Sequence, residues 1–542
     1  MKAVWRQLKD RRSEVASHPF FGWLSSDAAP LDERFVFAPV MVDFIMGFAD
    51  MNKWFLSYAA PKTELERSIN EHTEEDRTHS RLFYEEWYTA KLGAPASFGP
   101  GKTLWWLFHS SDSKNVRRFG MEILELAVKH QDALVRFAMI EAIEVCGDVF
   151  FENTAPLATR MSEYDGATHR YFGQYHRARE TGHLQTDESA FLKAKLTAEQ
   201  EASCKLVVDV VFDNFMLVLT EIHSFAERTT DEERGLTLAL DDEFRCQLER
   251  GDTIVADPIV PDAAVLTEVC VTQRALVQHL ESRLAGLREH ALLSWLRDDE
   301  SLPARRKLQG FVALWGIDIV GYKDFNELVL RYKQPQCALE REVNQQTDQL
   351  ATHGALYLRD WQELELDSVL GWDAGETVAF YFLSEQTEVH RGNMAKLKKL
   401  AFGHPDAVSR SWLMHALESA GEPLFEATAE VAEQVEQDFG CRLDYWANRH
   451  ARAHAHATAA SSTRRSFMAA AVGAEQAATI RHIIDTVCDN MEEQFTLSHR
   501  AGRQQVFVHA PATLPPPRES GYVLKAQATH GAHDLVQLKR AG

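Results

Sequence analysis

Residues 66–87, ERSINEHTEEDRTHSRLFYEEW, and residues 340–361, EREVNQQTDQLATHGALYLRDW, are two versions of one segment. Glu66, Arg67, Asn70, Thr73, His79 and Trp87 fall on Glu340, Arg341, Asn344, Thr347, His353 and Trp361, 274 positions further on. The register continues on both sides without a gap. Arg136, Glu144 and Gly147 meet Arg410, Glu418 and Gly421, and Tyr171 and His176 meet Tyr445 and His450. Toward the edges the offset drifts by two: His18, Trp23 and Leu24 meet His290, Trp295 and Leu296, and Val207, Val208 and Asp209 meet Ile483, Ile484 and Asp485. A period of this length is the size of a whole domain rather than of a solenoid repeat, and it predicts a tandem duplication.

The two copies test each other. Shared residues are explained most simply by shared packing, and acids or imidazoles found in the first copy alone are candidates for chemistry. Asp43 becomes Ile317, Glu75 and Asp76 become Gln349 and Leu350, and Glu141 becomes His415. Glu180 becomes His454, and His183 becomes Ala457. Joint loss of these groups is the pattern expected when a metal site disappears from one copy.

The 542 residues suffice for two domains with full cores, and 45% hydrophobic content is ordinary for a globular protein. A net charge of −22 argues against nucleic acid and anionic membranes as partners. No apolar run reaches the roughly 20 residues of a membrane helix, and the N-terminus lacks a signal-peptide core. Seven scattered cysteines without a CxxC point to a reducing, cytoplasmic setting. Apolar residues recur at helical spacing nearly throughout, as in Phe35 to Trp54 and Leu206 to Phe215. The expected fold is therefore all-α, with about seven helices per copy. The domains are placed at 1–230 and 276–500, with an irregular, charged linker over 231–275. A Pro-rich tail over 501–542 is expected to wrap a surface or to be partly disordered.

Four helices of the first copy carry the candidate ligands. His176-x3-Glu180-x2-His183 places two imidazoles and a carboxylate on one helical stripe, a mixed N/O set suited to iron or manganese. Its bland alternative is a solvated helix face. Asp76 and His79 stand three apart and Glu75 and His79 four apart, so either acid can share a metal with the histidine. His72, on the same stripe, is expected to be a supporting or solvent-facing residue. Glu141 and Glu144 lie in an otherwise apolar helix, as does Asp43, and buried carboxylates need a compensating partner. The choice between Glu141 and Glu144 stays open: Glu144 is better spaced from His176, while Glu141 is the one lost in the second copy.

With these residues in place, the first copy resembles the haem-oxygenase-like di-iron oxidases and oxygenases, which share the fold of TenA-type thiaminases. The resemblance rests on the early His18-Pro19-Phe20-Phe21, then Asp43, the Asp76/His79 pair, Glu141 or Glu144, and the His176/Glu180/His183 helix. It spans essentially the whole first copy and, weakened, the second. The family usually has Glu at the place of Asp43 and Asp at the place of Glu180, so a shorter and a longer arm are exchanged and the family's metal spacing does not carry over to this chain. What the resemblance implies is two Fe(II) ions in the N-terminal domain and O2 as co-substrate. Its members oxygenate amines, desaturate or cleave aliphatic acids, or fragment amino acids, usually in biosynthesis. Related domains dimerise, so a monomer with an internal pseudo-dimer, or a homodimer, is expected. The competing readings are a metal-independent TenA-like hydrolase using Cys146 beside Glu144, and a non-catalytic scaffold. Haem breakdown would leave the histidine and carboxylate faces without purpose. In the second copy His353, Glu418, His450, His454 and His456 remain, a set too poor in carboxylate for the same centre. Trp105, Trp106, Phe108, Tyr171, Phe172 and Tyr175 are candidates for an apolar pocket lining.

Overall fold

The computed structural model describes residues 1–26, 30–178, 194–231, 239–249, 269–447, 449, 463–505, 522–523 and 539–540. Among these residues the chain is all-α, apart from one antiparallel pair of two-residue strands, Tyr522–Val523 with Lys539–Arg540. The fold divides into two compact units. One takes in Met1–Ser97 and Ser111–Leu236, the other Phe98–Ser110 and Thr237–His509.

The helices repeat with the sequence. Glu64–Asp76 and Ala338–Leu350 are both 13 residues long. Pro100–His109 and Ala374–Leu383 are both 10. Ala133–Asp165 and Ala407–Phe439 are both 33. The shared residues turn out to be braces. Asn70 accepts from Tyr58 N–H at 2.7 Å and donates to its carbonyl at 2.8 Å, and Asn344 brackets Tyr332 in the same way. His18 accepts from Phe20 N–H as a helix cap and reaches Thr220 with its other nitrogen, as His290 does with Leu292 and Thr496. The early histidine is therefore a structural cap in both units. Thr63 and Glu66 form a capping box at the start of the helix that carries His72 and Asp76.

The apolar run Phe35 to Trp54 is not one continuous helix. Pro39, which cannot donate a backbone hydrogen bond, falls in a 3-10 turn (Ala38–Met41); an α-helix (Val42–Met51) and a π-helical turn (Asn52–Leu56) follow. Length and composition alone would let Leu31–Leu56 cross a membrane, contrary to the expectation from sequence, but 61% of that window is buried within the fold. Part of the expected linker is ordered too. Residues 239–249 form a helix, with Phe244 packed on Trp105 at 5.5 Å, and Val271 already opens the next helix. Residues 250–268 and most of the tail lie outside the described residues.

Candidate metal centre

Helical geometry stacks residues four apart, so His72 and Asp76 project together from the Glu64–Asp76 helix. His72 Nε2 lies 3.1 Å from Asp76 Oδ2 and 3.4 Å from Glu144 Oε1, the latter arriving from the long Ala133–Asp165 helix. One ligand atom from each of the three lies within 4.8 Å of the others. Asp76 is 2% exposed and Glu144 5%. Two carboxylates this close repel by roughly 3–4 kcal/mol at an effective dielectric of about 20, which a cation between them, or a proton on one of them, relieves. Burial alone would lower the His72 pKa, but Asp76 and Glu144 together outweigh it and hold the ring's pKa well above the ordinary histidine value. A proton on His72 thus occupies the electrostatic role that a metal ion would take.

Two further imidazoles complete the cluster. His79 Nδ1 is 3.9 Å from Asp76 Oδ1, and its ring lies 4.3 Å from that of His176. His176 is 1% exposed, and its Nδ1 donates to the Tyr171 carbonyl at 2.9 Å. A carbonyl only accepts, so Nδ1 carries a proton, and the neutral tautomer compatible with this bond leaves its lone pair on Nε2, as a metal ligand needs. The Tyr171 loop is itself pinned by buried Glu86, which accepts from Tyr171 N–H at 2.6 Å and pairs with His169 Nδ1 at 3.1 Å. Asp165 holds the other nitrogen of His169 at 2.9 Å.

These bonds have a pH consequence. Hydrogen bonding to Glu86, opposed by burial and reinforced by Asp165, raises the His169 pKa. A raised histidine stabilises the fold fully below its unfolded value of about 6.5, and the contribution is lost as pH rises through the folded-state value. Thermal unfolding across that window is expected to show wild-type stability declining relative to His169→Gln, and parallel pH profiles would refute the assignment.

The other candidates are placed as follows. Glu75 is half-buried on the same helix as Asp76. Glu141 is buried, one turn before Glu144, but the three-residue group contains Glu144 and not Glu141. Asp43, expected to be buried, is half-buried in the first turn of Val42–Met51, while its neighbours Phe44 and Ile45 line a cavity. Glu180 and His183 lie outside the described residues, which end this segment at residue 178. His72 was the underrated member; its replacement by Gln346 in the second copy is the signal that marks it.

The cavity beside the cluster measures about 90 Å3, and His79, Glu144 and His176 form its polar edge. Its walls are apolar, including Phe44, Phe48, Phe119, Phe150, Phe151 and Phe215. Of the aromatic residues expected to line it, Tyr171 does; Phe172 is instead buried against Phe35, Trp105, Trp106 and Phe108 belong to the second unit, and Tyr175 is exposed. Cys146 also lines the cavity, but burial pushes its thiol well above the ordinary value, which disfavours the thiolate a cysteine hydrolase needs.

In the second unit Leu350 stands where Asp76 would, and Gln346 donates to Glu418 at 2.6 Å. A neutral amide has replaced the imidazole between two acids. Neither a protein-family model nor a curated protein matches this chain.

Proposed function

We propose that the first unit is an O2-dependent, non-haem di-iron oxidase or oxygenase acting on a small metabolite, and that both units are tandem haem-oxygenase-like bundles of about seven helices. The observation that carries this reading is the buried His72–Asp76–Glu144 group beside His79 and His176. Its donor set is mixed imidazole and carboxylate, as borderline divalent iron prefers. Iron bound there would supply the activation of O2. The chain's own residues do the rest. Asp76 and Glu144 set the charge, the Tyr171 carbonyl aims His176, and Glu86 fixes the Tyr171 loop. The phenylalanine walls exclude water and favour a substrate that presents a hydrocarbon segment to the cluster.

The test is an anaerobic Fe(II) titration of metal-free full-length protein, followed by admission of O2. About two irons per chain, with a transient visible absorption after O2, is the expected result. About four would assign a centre to the second unit as well. No tight binding would overturn the oxidase reading.

A further inference from the structure

The second unit has not merely lost a metal cluster; its cavity has exchanged an apolar wall for a polar one. Where Phe44, Phe48, Val116, Phe119 and Val218 line the first cavity, the equivalent residues are Asp318, Tyr322, His390, Asn393 and Gln494. Loss of function by drift does not require this. Four of these polar residues are buried and Tyr322 is half-buried, and burying polar groups is costly unless each is bonded or serves a ligand.

Most of them are bonded, in two groups. Asp318 Oδ2 accepts from Gln494 Nε2 at 3.0 Å and is hydrogen-bonded to His390 Nδ1 behind it. Asn393 and Asn490 exchange side-chain-to-backbone bonds at 3.2 and 3.3 Å, and Lys396 bridges their amide oxygens from outside. Burial and the Asp318 charge push the Tyr322 phenol far up, which keeps it a neutral O–H. One group stands apart. Asn326, in the π-helical turn Phe325–Leu330, is 0% exposed and lines the cavity, yet neither its Oδ1 nor its Nδ2 has a hydrogen-bond partner among the described residues. An amide buried with both ends unmet is rare in native interiors. The cavity measures about 150 Å3.

Its electrostatic character is one-sided. Asp318 and Glu418 line it, and among the described residues no lysine or arginine does. Trp315, Tyr322, Phe425, Tyr445 and Trp446 supply aromatic faces that favour a cation. We infer that the second unit's cavity is a metal-independent binding site for a small organic ammonium compound, its charge on Asp318 and a second polar function on the Asn326 amide. A cavity near 150 Å3 accepts roughly a six-membered ring with its substituents.

Calorimetric titration of the metal-free full chain with 4-aminocyclohexanol tests this, against 1,4-cyclohexanediol and 4-hydroxycyclohexanecarboxylate as neutral and anionic counterparts. The amine is expected to bind at least about tenfold tighter than either. Asp318→Asn, which keeps the shape and removes the charge, should abolish that preference. Asn326→Leu should weaken amine binding by about tenfold while raising the melting temperature of the ligand-free protein, because it removes an unbonded amide. The Asn326 variant and the ligand series remain decisive if Asp318→Asn does not fold. No amine binding, an equal or greater affinity for the diol or carboxylate, or binding indifferent to both variants would overturn the assignment.

Discussion

Exchanging His72→Gln and Asp76→Leu together is expected to weaken iron binding in the first unit by more than about a hundredfold without unfolding it. Disturbing the partners of metal ligands alone costs about 10–100-fold, and this exchange removes the residues themselves. Its folding is controlled internally: Gln346 and Leu350 occupy the equivalent places in the second unit, where Gln346 bonds Glu418 at 2.6 Å. Removing one of two neighbouring carboxylates relieves repulsion, and losing the His72 cation removes an attraction, so the metal-free melting temperature should change little. Iron titration and thermal unfolding of the double variant are the measurements. Wild-type iron affinity would move the metal site elsewhere in the chain. Glu418→Gln serves as the matching control and should leave iron binding unchanged.

Arg136→Ala is expected to destabilise the first unit by roughly 3–5 kcal/mol, because it strips several buried acceptors of a charged donor at once. Arg136 is 2% exposed and donates to the carbonyls of Leu56 and Ala127 at 3.2 and 2.8 Å, and to Gln131 Oε1 at 3.1 Å. Its guanidinium also lies 4.3 Å from the centre of the Tyr58 ring. These bonds tie the end of the π-helical turn to the helix bearing Glu144, two turns away. Arg136→Lys should recover only part of the loss, since an ammonium cannot span three divergent acceptors. Urea unfolding measures both, and a loss below about 1 kcal/mol for the alanine variant would contradict the role. Arg410 repeats the arrangement, donating to the Leu330 carbonyl at 2.7 Å and covering Tyr332.

The duplication frame and the helical class were legible because period and amphipathicity are written along the chain. The nearness of Asp76 to His79 could also be read from spacing, whereas acids in apolar surroundings left Glu141 and Glu144 as alternatives, of which Glu144 is the one that reaches His72. His72 could not be read from spacing, because a histidine four residues from an acid describes a solvated helix face equally well; its replacement by Gln346 in the second copy and the approach of Glu144 from another helix distinguish the two. Glu86 was hidden by its own success. Both units keep an acid there, Asp360 in the second, where it accepts backbone N–H groups from Asp444, Tyr445 and Trp446. Shared acids look like packing, and this one packs a loop whose Tyr171 carbonyl orients His176 in the first unit. The polar refitting of the second cavity shows only when the copies are compared for gains as well as losses.

The helix Pro100–His109 lies in the middle of the first copy by sequence and in the second unit by structure. There Gly101 N–H donates to Asp367 at 2.9 Å, and His109 is within 3.2 Å of the Val320 carbonyl. Neither half of the gene therefore encodes a self-sufficient product. On the ribosome this helix emerges long before most of its packing partners, Phe244 excepted, and completes its packing only after synthesis passes residue 367. The loop closed by that delay raises contact order and slows assembly. A protein severed between the copies would leave one fragment with an unpartnered apolar helix and the other with a groove to match, so reconstitution by mixing would need both fragments to refold together.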